Sequence, residues 1–153
     1  MKEEFAREIR LSAPSAAVWI ALLDFHRVAS WIPVVAELRE IEPPSRYGAV
    51  LADRLGPFTL RADLAVTVDV RDADRRMRVT ASGEDRQIAS RISVSVDLAV
   101  RDEGAGSAVA VDGRYEITGR VATLGAGAVR KKGEHVLGQL FANMERDLGG
   151  GGT

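Results

Sequence analysis

Two histidines, twenty-two carboxylates, two tyrosines and no cysteine are the groups from which this chain could build a reactive site. The missing thiol removes disulfides, zinc–thiolate centres, iron–sulfur clusters and cysteine nucleophiles. His26 and His135 belong to different elements, so no imidazole pair converges and neither a metal nor a cofactor is expected. Acid–base chemistry needs a polar group facing a pocket. Three could reach one: His26 in a corner between two helices, Asp53 in a strand without a clean phase, and Tyr115 on an apolar strand face. Asp63, Asp69, Asp97, Asp112 and Glu116 fall by alternation on a solvated face. No catalytic residue is assigned.

The stretch GRVATLGAGAVRKKGEHVLGQLF, from Gly119 to Phe141, holds five glycines and a basic triplet. It makes a poor phosphate loop. Gly125-Ala126-Gly127-Ala128-Val129-Arg130 puts arginine where the last glycine of a dinucleotide motif belongs, and no strand follows to complete a βαβ unit. Arg130, Lys131 and Lys132, with Arg120 upstream, read as a solvated helix face or as a contact for anionic headgroups or an acidic partner. A net charge of −1 gives no global field for nucleic acid.

The elements that must position these groups follow from hydrophobic periodicity. Phe5, Arg7, Ile9 and Leu11 share one face of a first strand. Ser12-Ala13-Pro14 starts a helix carrying Val18, Trp19, Leu22 and Leu23, and a second short helix runs through His26 to Ser30. Strands are expected at 35–42, 48–55, 58–71, 75–83, 87–102 and 107–118, with short turns between them, so they form an antiparallel meander. In 60–70, Leu60, Ala62, Leu64, Val66, Val68 and Val70 alternate with Arg61, Asp63, Thr67 and Asp69, giving the sheet one dry and one wet face. Strands this long must twist and curl, which makes the dry face concave. One domain is expected over 1–148, with a flexible glycine-rich tail at 149–153. The charged N-terminus is no signal peptide, and no run of about 18 apolar residues spans a membrane.

Residues 121–148 read as one helix of about 28 residues, with Ala122, Ala126, Val129, Gly133, Val136, Leu140, Met144 and Leu148 along a stripe. The stripe is small in its first half and large in its second. Such a helix over a curled sheet encloses an apolar hollow. The residues expected to line it are Trp19 and Trp31 from the short helices and Phe58, Val66, Val68, Val79, Val94, Val96, Val111 and Tyr115 from the strands. Ala122, Ala126, Val129, Gly133 and Leu137 would come from the long helix. A wall of this kind suits an apolar ligand and offers little to move electrons, which favours binding over catalysis.

Strand, helix pair, meander and long C-terminal helix describe an α+β helix-grip fold: a curved antiparallel sheet of about seven strands around the last helix, with two short helices between strands 1 and 2. Ser12-Ala13-Pro14, Ala17-Val18-Trp19 and Leu22-Leu23-Asp24 resemble the opening of the START-like, polyketide-cyclase-like (SRPBCC) superfamily. Trp31-Ile32-Pro33, Leu55-Gly56-Pro57-Phe58 and Gly119-Arg120-Val121-Ala122-Thr123-Leu124-Gly125 narrow the resemblance to the CoxG proteins of carbon monoxide dehydrogenase, over about residues 3–148. Val34 stands where that family usually has glycine. The resemblance implies a non-catalytic accessory protein that serves a molybdenum hydroxylase at the membrane and holds a quinone, lipid or polyketide-like molecule in the grip. It also implies a cytoplasmic protein, peripheral to the inner membrane face. The rival expectation is a cyclase, dehydratase or hydrolase of the same superfamily acting through His26, Asp53 or Tyr115.

Overall fold

Alternating strands and short turns build a single curved platform. In the computed structural model, which describes residues 1–149, β1 (Lys2–Leu11) is followed by α1 (Ser15–Leu23) and α2 (Phe25–Ser30). Then come β2 (Val35–Glu42), β3 (Arg46–Leu55), β4 (Phe58–Arg71), β5 (Arg76–Asp85), β6 (Ser90–Glu103) and β7 (Gly106–Gly119). A 3-10 turn at Arg120–Leu124 leads into α3 (Ala126–Leu148). Among the described residues the seven strands form one antiparallel sheet in the order β1-β7-β6-β5-β4-β3-β2. The helix-grip architecture expected from the sequence is therefore present. The tail expected at 149–153 lies, from residue 150, outside the described residues.

The strands pair with their chain neighbours because short turns leave them no alternative. β1 instead pairs with the last strand, β7, and the chain crosses from β1 to β2 at the opposite edge through α1 and α2. Those helices are hydrophobic because they plug one end of the curl. Val18, Trp19, Ala21 and Leu22 of α1 are buried against Ile9, Leu11, Val100 and Val109. Val18 and Leu22 each contribute about 1.5–3 kcal/mol when fully removed from water. Asp24 separates the two helices and accepts the Arg27 amide at 3.2 Å, capping α2.

The last helix is shorter than its periodicity suggests. It begins at Ala126, after Gly125 adopts a φ of +96° that breaks the helical path. Ala122 therefore sits in the 3-10 turn, and the expected 28-residue rod is a turn plus a helix of 23 residues. The stripe could not reveal this, since small residues continue the same spacing on both sides of the break.

α3 is anchored in two separate cores. Phe141, Met144 and Leu148 join the large cluster around α1. Val129 joins a second cluster with Leu55, Leu60, Ala62, Ile92, Ile117 and Val121. There the Ser90 hydroxyl donates to the Ile88 carbonyl and accepts the Val121 amide, both at 3.0 Å, fastening the 3-10 turn to β6.

Candidate functional site

Between these two cores the concave face changes character. Strand register lines up inward-facing residues from neighbouring strands in rows. One row reads Tyr47, Val66, Ala81, Val94, Tyr115 across β3, β4, β5, β6 and β7. The next reads Val68, Val79, Val96, Gly113, Phe5 across β4 to β7 and β1. Rows on either side are largely buried, for example Leu64, Ile92 and Ile117 below and Met77 and Val111 above. In the two middle rows Val66, Ala81, Val94, Tyr115, Val79, Val96 and Gly113 are only half-buried, although all of them point toward the helix. With strands about 4.8 Å apart, the strip from Val66 to Tyr115 is about 14 Å wide.

α3 roofs the strip without filling it. Val129 and Phe141 are 1% and 4% exposed, whereas Gly133, Val136, Leu137 and Leu140 between them are half-buried. A close-packed helix–sheet interface buries its central residues most deeply and its ends least. Here the order is reversed. The roof's backbone comes nearest to β1 and to the 3-10 turn.

Gly133 meets Tyr115. A Cβ on Gly133 would overlap the Tyr115 hydroxyl and stand 2.8 Å from the ring's Cζ. The glycine thus admits the phenol beneath the helix. Gly127 and Gly138 face open space and have no comparable packing role. Burial, with Glu3 and Glu134 nearby, pushes the Tyr115 phenol above its ordinary pKa, so it remains protonated.

Polar contacts hold the rim. Arg130 donates to Glu3 of β1 at 3.0 and 3.2 Å. Lys132 Nζ lies 3.0 Å from Asp53 of β3. Two residues of one helical turn therefore reach opposite flanks of the curled sheet. At the other end Asp147 accepts Arg27 Nε and Nη2, both at 2.8 Å, and the Trp31 indole N–H at 2.9 Å. Arg27 first and Trp31 second hold the Asp147 carboxyl at a pKa of about 2. Asn143 donates to the Trp31 carbonyl at 3.0 Å, and the Ser12 amide to the Gly149 carbonyl at 2.9 Å.

The residues named from sequence separate into groups. Val66, Val79, Val94, Val96, Tyr115, Gly133 and Leu137 come together around the strip. Val68 and Val111 face the same way but are buried beside it. Trp19 and Trp31 belong to the large core, where the Trp19 indole donates to Asp72 at 3.0 Å. Phe58 packs at the second core with the Arg120 guanidinium 5.9 Å above its ring. Val129 is buried in that core, Ala122 is half-buried in the turn, and Ala126 is exposed. Ala81, Phe5 and Gly113 also line the strip. Ala81 and Gly113 were not named as lining residues from the sequence, since their neighbours depend on register.

Of the polar candidates, His26 lies on the outer surface, with Nε2 3.1 Å from Glu40 Oε1. Asp53 faces the concave side and is tied to Lys132. Tyr115 reaches under the helix. Among the described residues no three His, Asp or Glu side chains gather in a metal-binding group. Two depressions of about 640 and 460 Å³ open on the convex face and its rim, and charged side chains such as Arg61, Asp63, Arg78 and Asp97 dominate their walls.

The profile of the carbon monoxide dehydrogenase CoxG family matches residues 8–149. The chain belongs to the CoxG family. No curated protein matches it. The CoxG-family fold is shared with a conserved protein from Geobacillus kaustophilus: TM-score 0.78, 15% identity, covering 97% of this chain and 95% of that one. A START superfamily protein from Mycobacterium smegmatis superposes with a TM-score of 0.66 at 13% identity over 95% of this chain and 96% of that one. A norcoclaurine synthase from Thalictrum flavum, in complex with dopamine and hydroxybenzaldehyde, gives 0.61 at 10% identity, over 96% and 88%. These likenesses show that the CoxG-family chain has the same helix-grip fold as these proteins. Among the described residues no helix is long and apolar enough to cross a membrane.

Proposed function

We propose that this protein is a non-catalytic carrier that holds an apolar molecule, such as a quinone, lipid or polyketide-like compound, between sheet and C-terminal helix. One observation carries the reading: in two adjacent, largely aliphatic inward-facing rows, Val66, Ala81, Val94, Val79 and Val96 are only half-buried beneath the helix. Apolar surface that stays wet inside a fold is surface a ligand can cover, at about 25 cal/mol per Å². The solved norcoclaurine synthase holds aromatic molecules within the same fold, which supports the reading.

Membership of the CoxG family supports a role beside a molybdenum hydroxylase, with the carrier serving that enzyme at the cytoplasmic membrane surface. The enzyme alternative is weaker. His26 lies on the outer surface, and Asp53 is paired with Lys132.

Native mass spectrometry of freshly purified protein tests the carrier reading. The expected result is a bound apolar mass, or uptake of added quinone or fatty acid. A bare protein that takes up neither overturns it.

A further inference from the structure

We infer that Tyr115 is the specificity-determining polar anchor of the strip, and that the ligand is a neutral molecule with one hydrogen-bond-accepting oxygen on an apolar body. This rests on the carrier reading and adds the ligand's chemistry to it.

The row geometry supports it first. On the β6 side Tyr115's row neighbours Val94, Ala81 and Val66 carry no polar side-chain atom, and on the β1 side its neighbour is Glu3. The tyrosine at the row's far end is occupied elsewhere: the Tyr47 ring is buried in the large core, edge-on to Phe25 at 5.0 Å. Next comes the helix. Gly133 leaves open the space into which the Tyr115 hydroxyl projects. That hydroxyl takes no hydrogen-bond partner among the described residues, although its neighbours Glu3 and Arg130 are paired with each other.

Without a protein partner among the described residues, the hydroxyl depends on solvent water for a hydrogen bond when no ligand is bound. A ligand that covers Val94 and Ala81 expels that water, and affinity suffers unless the ligand replaces its hydrogen bond. The phenol stays protonated, so it donates and the ligand must accept. Charge selects against an anionic head. The groups around the phenol are the carboxylates of Glu3 and Glu134 and the guanidinium of Arg130, which Glu3 already engages. On the same side of the helix, Arg7 is committed to the Phe141 ring at 4.9 Å, two rows away, and Lys132 is paired with Asp53. A ketone or ester oxygen meets all these conditions.

Three probes test this: 2-undecanone, pentylbenzene and undecanoate, measured by displacement of Nile red. The infrared carbonyl stretch of bound 2-undecanone provides a second readout. The ketone should bind tightest, with its stretch shifted down from the value in hydrocarbon. In Tyr115→Phe the shift should vanish and ketone affinity fall roughly 3- to 10-fold, the loss of one neutral hydrogen bond, while pentylbenzene is unaffected. Gly133→Ala, whose methyl displaces the hydroxyl, should also abolish the shift.

If all three probes bind and Tyr115→Phe changes neither the stretch nor the ketone's advantage, this inference falls and the carrier reading stands. Undecanoate binding tightest would also overturn it, assigning the anchor to Arg7 or Lys132. Failure of every probe to enter the wild-type protein would overturn both.

Discussion

The Tyr115 hydroxyl occupies the space that a side chain on Gly133 would need. A residue of the sheet thus explains a glycine in the middle of the helix that covers it. Glycine costs a helix about 1 kcal/mol relative to alanine. At this position the cost is offset by admitting a phenol beneath the helix.

Gly133→Ala should therefore destabilise the protein by about 1 kcal/mol net, because the overlap with Tyr115 outweighs the gain in helix propensity. In a Tyr115→Ala background the sign should reverse, and the same substitution should stabilise by about 1 kcal/mol. Urea unfolding of the four proteins measures both values. Equal effects in the two backgrounds would mean that the contact does not govern this position.

The strip should accept added bulk. Ala81→Leu places a larger apolar side chain between Val66 and Val94. If the space under α3 is open, stability changes by less than about 0.5 kcal/mol and Nile red binding falls at least about tenfold. A close-packed interior would instead lose about 1–3 kcal/mol. Thermal melts and dye titration together separate the two outcomes.

The two flanking ion pairs should hold the first half of α3 more than the second. Arg130→Ala with Lys132→Ala removes both the Glu3 and the Asp53 contacts. Exposed pairs are worth about 0.2–1 kcal/mol each, so amide exchange around Val129 to Val136 should accelerate roughly 2- to 30-fold. Amides around Phe141 to Leu148 should keep their rates. Uniform acceleration along the helix would show that the pairs stabilise the whole fold instead.

Asp147 should contribute to acid sensitivity. Its folded pKa of about 2 lies below the ordinary value of 3.8, so its contribution is complete above about pH 4. It fades as pH falls toward 2, when protonation breaks the contacts to Arg27 and Trp31. Asp147→Asn should cost about 1 kcal/mol at pH 6, or roughly 2–4 °C in Tm. The gap between wild type and variant should narrow as pH drops from 4 to 2. A gap that stays constant would mean the carboxylate's charge has no stabilising role.

Most strand boundaries were visible in alternation and turn residues, as in β2 (Val35–Glu42) and β4 (Phe58–Arg71), which the structure places where expected. The C-terminal helix was legible in kind and misjudged in length, because Ala122 and Ala126 keep the stripe's spacing across the break at Gly125. The basic triplet read as a solvated face or as a contact for anionic headgroups or an acidic partner. The structure divides it between Glu3 and Asp53 on opposite flanks, and among the described residues Lys131 takes no ion pair.

The chain's own pattern determined which side chains face inward, since alternation along a strand and spacing along a helix are local properties of the backbone. It also determined the order of elements, and with it the curl. Which inward residues become neighbours was decided only in three dimensions. Val66, Ala81, Val94 and Tyr115 lie far apart in sequence, and the registers of three hairpins bring them into one row. The half-buried strip arises because two cores, one around Phe141 and one around Val129, fix the ends of α3 and leave its middle over that row.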